Sequence, residues 1–174
     1  MKDNNSDTEK KSINQKGEKV AANQENEMLF TIFELDGEDY GVPVDLMVEI
    51  VRDVSTFNIP GSPEHVIGAT DLRSEVIPII DLKKTIGISR TKDEVDEVLL
   101  VNVGDEKFAL TVDRLKDIAS TDEDKLIDPS SITNLNEKML KWIIRLEDGR
   151  TVRVLDIEQM MDYKIGNLDL EKRK

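Results

Sequence analysis

The stretch Ala69–Gly87, ATDLRSEVIPIIDLKKTIG, decides the reading of the chain. An arginine, Arg73, precedes the unbroken apolar run Val76-Ile77-Pro78-Ile79-Ile80, and Asp81 ends it. A short apolar run between turn residues predicts a strand buried on both faces. Pro78 has no N–H for a ladder, so the strand needs an edge or an irregular position there. Asp81 precedes Leu82-Lys83-Lys84-Thr85-Ile86-Gly87, where a carboxylate caps the free amides of a short helix that stops at the glycine. Arg73 must find a carboxylate or reach solvent, because an unpaired buried charge is costly. Glu49 is the candidate partner; an exposed arginine in a turn is the rival reading.

Parts of this pattern occur twice. A shift of 68 lays Tyr40-Gly41-Val42-Pro43-Val44-Asp45 over Phe108-Ala109-Leu110-Thr111-Val112-Asp113, and Met47, Glu49 and Ile50 over Leu115, Asp117 and Ile118. A later shift of 75 lays Val76 to Leu82 over Thr151 to Ile157, so that Asp156 repeats Asp81 as a cap. Alternation from Leu29 to Leu35 and again from Val98 to Val103 predicts strands. Asp36-Gly37 and Gly104-Asp105 turn each of them into a returning strand, ended by Asp45 and Asp113, and Asp148-Gly149 predicts a tight two-residue hairpin near the end. The chain therefore reads as a degenerate duplication, with Phe33 and Phe108 expected in equivalent places. Each half suggests a small barrel, because closure removes exposed edges, and neither half has enough core to stand alone.

The boundaries follow from composition. Residues 1–27 are rich in Lys, Glu, Asn, Gln and Ser and read as a disordered tail; residues 167–174 read as a polar C-terminal tail. The body spans 28–166, with a first barrel at about 28–88 and a second at about 96–166, and strand exchange between them is left open. Ser89–Glu97 reads as a charged crossing, and Ser120–Asn136 as a long, exposed, turn-rich loop. In 174 residues there are 37 acidic against 24 basic side chains, a net charge of −13 that disfavours nucleic acid and anionic membrane surfaces. Zero cysteines exclude a disulfide framework and thiolate chemistry. No run has the length or apolarity to span a bilayer, so the expected setting is cytoplasmic, without membrane insertion.

Chemistry finds little support. Nucleophile-elbow and phosphate-cradling glycine motifs are absent from the sequence, and one histidine, His65, builds no multi-histidine metal site. His65 reads as a surface residue at a helix start. Asp122-Glu123-Asp124 lacks the glycine and distal glutamate of a calcium loop and reads as a solvated face. Repetition of Asp81 and Asp156 favours capping over acid–base or metal chemistry, so no cofactor is expected; a small acidic metal-dependent hydrolase is the remote alternative.

The series Phe33-x-Leu35, Tyr40-Gly41-Val42-Pro43-Val44, Glu49-Ile50, Ile59-Pro60-x-x-Pro63, Val66-Ile67-Gly68, Leu72-Arg73 and Val76 to Leu82 resembles the CheW family of chemotaxis coupling proteins. The second half follows more weakly through Val101, Phe108 to Asp113 and Asp156, so the resemblance covers about Met28 to Tyr163. It implies a mainly β fold of two intertwined, packed, five-stranded SH3-like barrels with short helices. It also implies a non-enzymatic scaffold that bridges the regulatory domain of the histidine kinase CheA to the cytoplasmic tip of chemoreceptors in membrane-associated arrays. A scaffold for a non-chemotactic sensory kinase is the alternative within that fold. By the same resemblance Gly68, Asp71, Arg73 and Ser74 belong to the receptor-contact region, with Glu49 as the acid that holds the arginine. Met47, Val48 and Val51 are the candidate kinase contacts, with core packing as the rival role. The family's usual Asn-Leu-Arg-Gly is Asp71-Leu72-Arg73-Ser74 here, and a side chain at position 74 narrows the permitted backbone. The glycine usual before the last strand pair is replaced near Lys141-Trp142.

Overall fold

The computed structural model describes residues 26–89, 95, 97–131 and 139–165. Residues 1–25 of the N-terminal tail, the middle of the charged crossing, the end of the 120–136 loop and the C-terminal tail lie outside the described residues. Among the described residues ten strands form: β1 (Glu27–Leu35), β2 (Glu38–Pro43), β3 (Met47–Arg52), β4 (Val66–Leu72), β5 (Glu75–Ile80), β6 (Glu97–Val103), β7 (Glu106–Val112), β8 (Arg114–Asp122), β9 (Leu140–Arg145) and β10 (Thr151–Leu155). Helix α1 (Leu82–Ile86) follows β5 and α2 (Ile157–Ile165) follows β10. The fold is mainly β, with two five-stranded sheets ordered β8-β1-β2-β10-β9 and β3-β6-β7-β5-β4.

Each sheet therefore draws strands from both halves of the chain. The hairpin β1–β2 is extended by β8, β9 and β10, and the hairpin β6–β7 by β3, β4 and β5. In each sheet one join between the halves is parallel, Arg153 to Tyr40 and Val154 to Gly41 in one and Ile79 to Ala109 and Ile80 to Leu110 in the other, and the second is antiparallel, β1 with β8 and β3 with β6. Isolated antiparallel bridges then link the segment after an edge strand to the opposite edge strand, Phe57 to Ala69 and Ile127 to Ile143. Those bridges curl each sheet toward a barrel, which hides edges that would otherwise template pairing.

The hairpin turns follow local chemistry. Asp36 and Gly37 join β1 to β2 with φ of 52° and 81°, the left-handed pair of a type I′ turn. The β9–β10 connection departs from expectation. Leu146 and Arg150 still pair, with Leu146 donating to the Arg150 carbonyl at 2.9 Å, so three residues form the loop rather than two. Gly149, at φ 87°, donates back to the Leu146 carbonyl at 3.0 Å and supplies the left-handed residue that a three-residue hairpin needs.

Three apolar clusters hold the molecule. Phe30, Ile32, Ile144, Val152 and Val154 fill the first barrel; Ile77, Ile79, Val98, Leu100 and Ala109 fill the second. The largest cluster joins the two sheets, with Phe33, Leu35, Tyr40 and Val42 from one and Leu99, Val101, Phe108 and Leu110 from the other. A register shift between Ile32 and Phe33 lets β1 serve both interiors. Phe33 and Phe108 share the central cluster but are not repeats of each other: the shift of 68 pairs Phe108 with Tyr40 and Phe33 with Val101.

Both predicted caps are present. Asp81 accepts from the Lys84 N–H at 3.1 Å ahead of α1, which ends at a left-handed Gly87, and Asp156 accepts from the Gln159 N–H at 3.0 Å ahead of α2. Asp113 takes the Asp36 N–H at 2.7 Å and the Lys83 ammonium at 2.8 Å, fastening a hairpin of one sheet to the helix beside the other. Two local readings need correction. Residues 120–122 continue β8 rather than opening a loop. His65 sits in a turn before β4 rather than at a helix start, its carbonyl accepting the Asp81 N–H at 2.8 Å.

Candidate protein-docking site

The β4–β5 turn carries Arg73 and Ser74 at φ of 52° and 66°, with Leu72 facing Glu75 across it. Two successive left-handed residues make a tight hairpin, a conformation that side chains bearing a Cβ resist. The Asp71 carboxylate accepts the Ser74 N–H at 3.1 Å and ties the turn. Arg73 reaches across to β3 and donates to Glu49 at 2.9 Å, with its own side chain 78% exposed and that of Glu49 29%. The pair anticipated from the sequence thus forms, and the arginine lies in solvent.

Gly68 belongs to the same strand but presents no side-chain surface. It is buried where Phe57 and Ala69 exchange two backbone bonds of 2.9 Å each, and a Cβ there would lie 2.6 Å from the Phe57 carbonyl oxygen. Of the three candidate kinase contacts, Val48 alone is exposed, at 39%. Met47 is half-buried against the central cluster, its sulfur accepting the Thr31 hydroxyl at 3.2 Å, and Val51 packs on the interior of the second barrel. The register shift between Met47 and Glu49 on edge strand β3 leaves Val48 outward, while Met47 and Val51 pack on different apolar clusters.

Surface missed in the sequence lies on β1 and β8. Leu29 and Ile118 are 50% and 57% exposed, and Thr31, paired with Ile118 and two residues from Leu29, lies beneath Met47. These apolar side chains line one face of that strand pair. Alternation marked Leu29 as part of one face of a strand without saying which face turned outward, and Ile118 was placed only by the 68-residue repeat.

The other barrel holds a second arginine at a comparable turn. Arg150 donates to Asp117 at 2.9 Å and to Asp148 at 2.7 Å, and reaches Asp39 at 3.4 Å. Asp117 is the residue that the 68-position shift lays over Glu49. Bonds to Asp117 and Asp148 hold the guanidinium above its ordinary pKa, and the Arg150 backbone N–H and guanidinium hold the Asp148 carboxyl below its own. Lys116 donates to Asp39 and Glu34, and the bond to Asp39 raises its pKa. Arg150 is only 32% exposed. This network consumes its charges internally, whereas Arg73 keeps most of its donors for solvent or a partner.

Among the described residues, a cleft of about 700 Å³ between Val54, Thr56, Ile67, Lys84, Ile88, Ser89 and Val95 has one ionisable lining residue, the lysine. Among the described residues no group of three or more His, Asp and Glu is placed to hold a metal ion, and no helix is long and apolar enough to cross a membrane.

Known proteins share this architecture. The CheW-like domain family matches residues 29–164. The chain is 34% identical over 151 residues to chemotaxis protein CheW of Treponema pallidum, covering 83% of this chain and 88% of that one. It is 30% identical over 149 residues to chemotaxis protein CheW of Helicobacter pylori, covering 83% and 87%. The crystal structure of scaffolding protein TtCheW from Thermoanaerobacter tengcongensis superimposes with a TM-score of 0.71 at 29% identity, over 78% of this chain and 92% of that one. Matched along both barrels, in sequence and in fold, the chain belongs to the CheW-like domain family.

Proposed function

We propose that the protein is a non-enzymatic adaptor that couples chemoreceptors to the histidine kinase CheA in bacterial chemotaxis arrays. The observation that carries this reading is the Arg73 turn: an exposed guanidinium fixed by Glu49 on a family-matched scaffold. The receptor tip docks at Arg73, with Glu49, Asp71 and Ser74 shaping the turn and Gly68 holding the strand beneath it. The CheA regulatory domain docks on the apolar surface at β3, where Val48 is the exposed contact and Met47 and Val51 support it from behind. The adaptor acts in the cytoplasm and is recruited to membrane-associated arrays through its receptor contact.

Co-purification with the CheA regulatory domain, with and without a soluble receptor-tip fragment, tests the reading. Both partners should be retained. Arg73→Ala should weaken the receptor arm alone and leave the melting transition in place, because an exposed ion pair contributes about 0–1 kcal/mol to stability. Capture of neither partner by the parent chain, or unchanged receptor binding by Arg73→Ala, overturns it.

A further inference from the structure

The two barrels carry related arginine turns, and the aspartate in each does a different job. In the β9–β10 loop Asp148 grips the arginine itself, accepting from the Arg150 N–H at 3.0 Å and from its Nε at 2.7 Å. Asp117 and Asp39 engage the remaining guanidinium nitrogens at 2.9 and 3.4 Å. In the β4–β5 turn the carboxylate bonds the backbone and not the arginine side chain. Asp71 accepts the Ser74 N–H at 3.1 Å, and Glu49 is the one carboxylate bonded to Arg73 among the described residues. One arginine is held at the surface by three carboxylates; the other has one and is displayed.

Display requires the backbone to stay where it is. Arg73 and Ser74 both carry a Cβ and both sit at positive φ, 52° and 66°, a region that disfavours such residues. Without an added restraint the turn relaxes toward other conformations, and the origin of the Arg73 side chain moves with it. Asp71 supplies that restraint from the next-to-last pair of β4, opposite Val76, and its own exposed side chain touches the turn amide rather than the guanidinium.

We infer that Asp71 is a positioning residue. By bonding the Ser74 N–H it locks the left-handed turn that holds Arg73 over Glu49 with its free donors outward, preorganised for carboxylate or carbonyl acceptors on the docked partner. That the partner is a receptor tip rests on the function proposed above; the locking of the turn does not.

Asp71→Asn keeps an acceptor oxygen and removes the charge, whereas Asp71→Ala removes both. Two readouts are taken on the full chain: hydrogen exchange of the Ser74 amide, and titration with a soluble chemoreceptor-tip fragment. Asp71→Asn should match the parent in both. Asp71→Ala should lose protection at Ser74 and bind about tenfold more weakly, with its melting transition in place. Adding Ser74→Gly to Asp71→Ala should recover part of the binding, since glycine adopts positive φ without strain. Parent-like exchange and affinity in Asp71→Ala overturn the inference, and so does an Asp71→Asn that behaves like Asp71→Ala, which would make charge the operative property. If the parent itself ignores the fragment, the receptor reading fails, and exchange at Ser74 still decides whether Asp71 locks the turn.

Discussion

Single positions separate what is displayed from what is consumed. Arg73 and Arg150 both pair with an acid on a third strand, Glu49 and Asp117, yet one is 78% exposed and the other 32%. The first pair was legible because each partner alone posed a problem: a cation beside an apolar strand and an acid within an apolar segment. The second was not, since the longer β9–β10 loop displaces Arg150 from the register of Arg73 and no constant shift aligns them. Gly68 shows the reverse case, a residue whose family resemblance pointed to contact and whose surroundings are backbone. A Cβ at position 68 would stand 2.6 Å from the Phe57 carbonyl oxygen, which cannot swing aside as a side chain does. Gly68→Ala should therefore cost about 1–3 kcal/mol in urea denaturation by forcing the Phe57 bridge away from β4. A variant with parent stability would show that the strap yields freely.

At the scale of elements, the run expected to be buried on both faces is covered only from Ile77 to Ile80, while Val76, beside the β4–β5 turn, is 55% exposed. Pro78 stands opposite Ala69 on β4, while the parallel pairing with β7 begins only at Ile79, so the missing donor falls where β5 has a single neighbour. The requirement stated by the sequence is met inside a sheet, by starting the second ladder one residue later. Ile79 is fully buried in the second barrel, and Ile79→Ala should lower stability by about 2–5 kcal/mol through the cavity it leaves. Calorimetry that finds the parent melting temperature would mean the site collapses around the smaller side chain. The β9–β10 loop responds to acid. Asp148 has a lowered pKa in the fold, so its bonds to Arg150 contribute fully above the ordinary aspartate value of about 3.9 and are lost as pH falls through the lower folded value. Below about pH 4 the stability of the parent should therefore fall more steeply with acid than that of Asp148→Asn, measured by denaturant titration across that window. Equal slopes would mean that Asp148 is bonded as strongly in the unfolded chain.

For the whole molecule, the sheet orders make the two halves interdependent. Strands β1 and β2 need β8 and β10, and β6 and β7 need β3 and β5. Fragments 26–89 and 97–165 should each lack a cooperative thermal transition, and co-expression should restore one fold containing both; a cooperative transition in either fragment alone would contradict this arrangement. The amino-acid sequence by itself determined strands β1, β2, β5, β6, β7, β9 and β10, the Asp36-Gly37 and Gly104-Asp105 turns, the two capping aspartates and Glu49 as the candidate partner of Arg73, because periodicity, turn chemistry and an unbalanced charge are properties of nearby residues. Tertiary structure alone decided which half lends strands to which sheet, that Gly68, Met47 and Val51 turn toward packed interiors while Val48, Leu29 and Ile118 face solvent, and that Arg150 is spent on internal bonds. The physical reason is that a strand carries two faces and two edges of nearly equal local preference, and only the burial of one against a distant part of the chain breaks the tie.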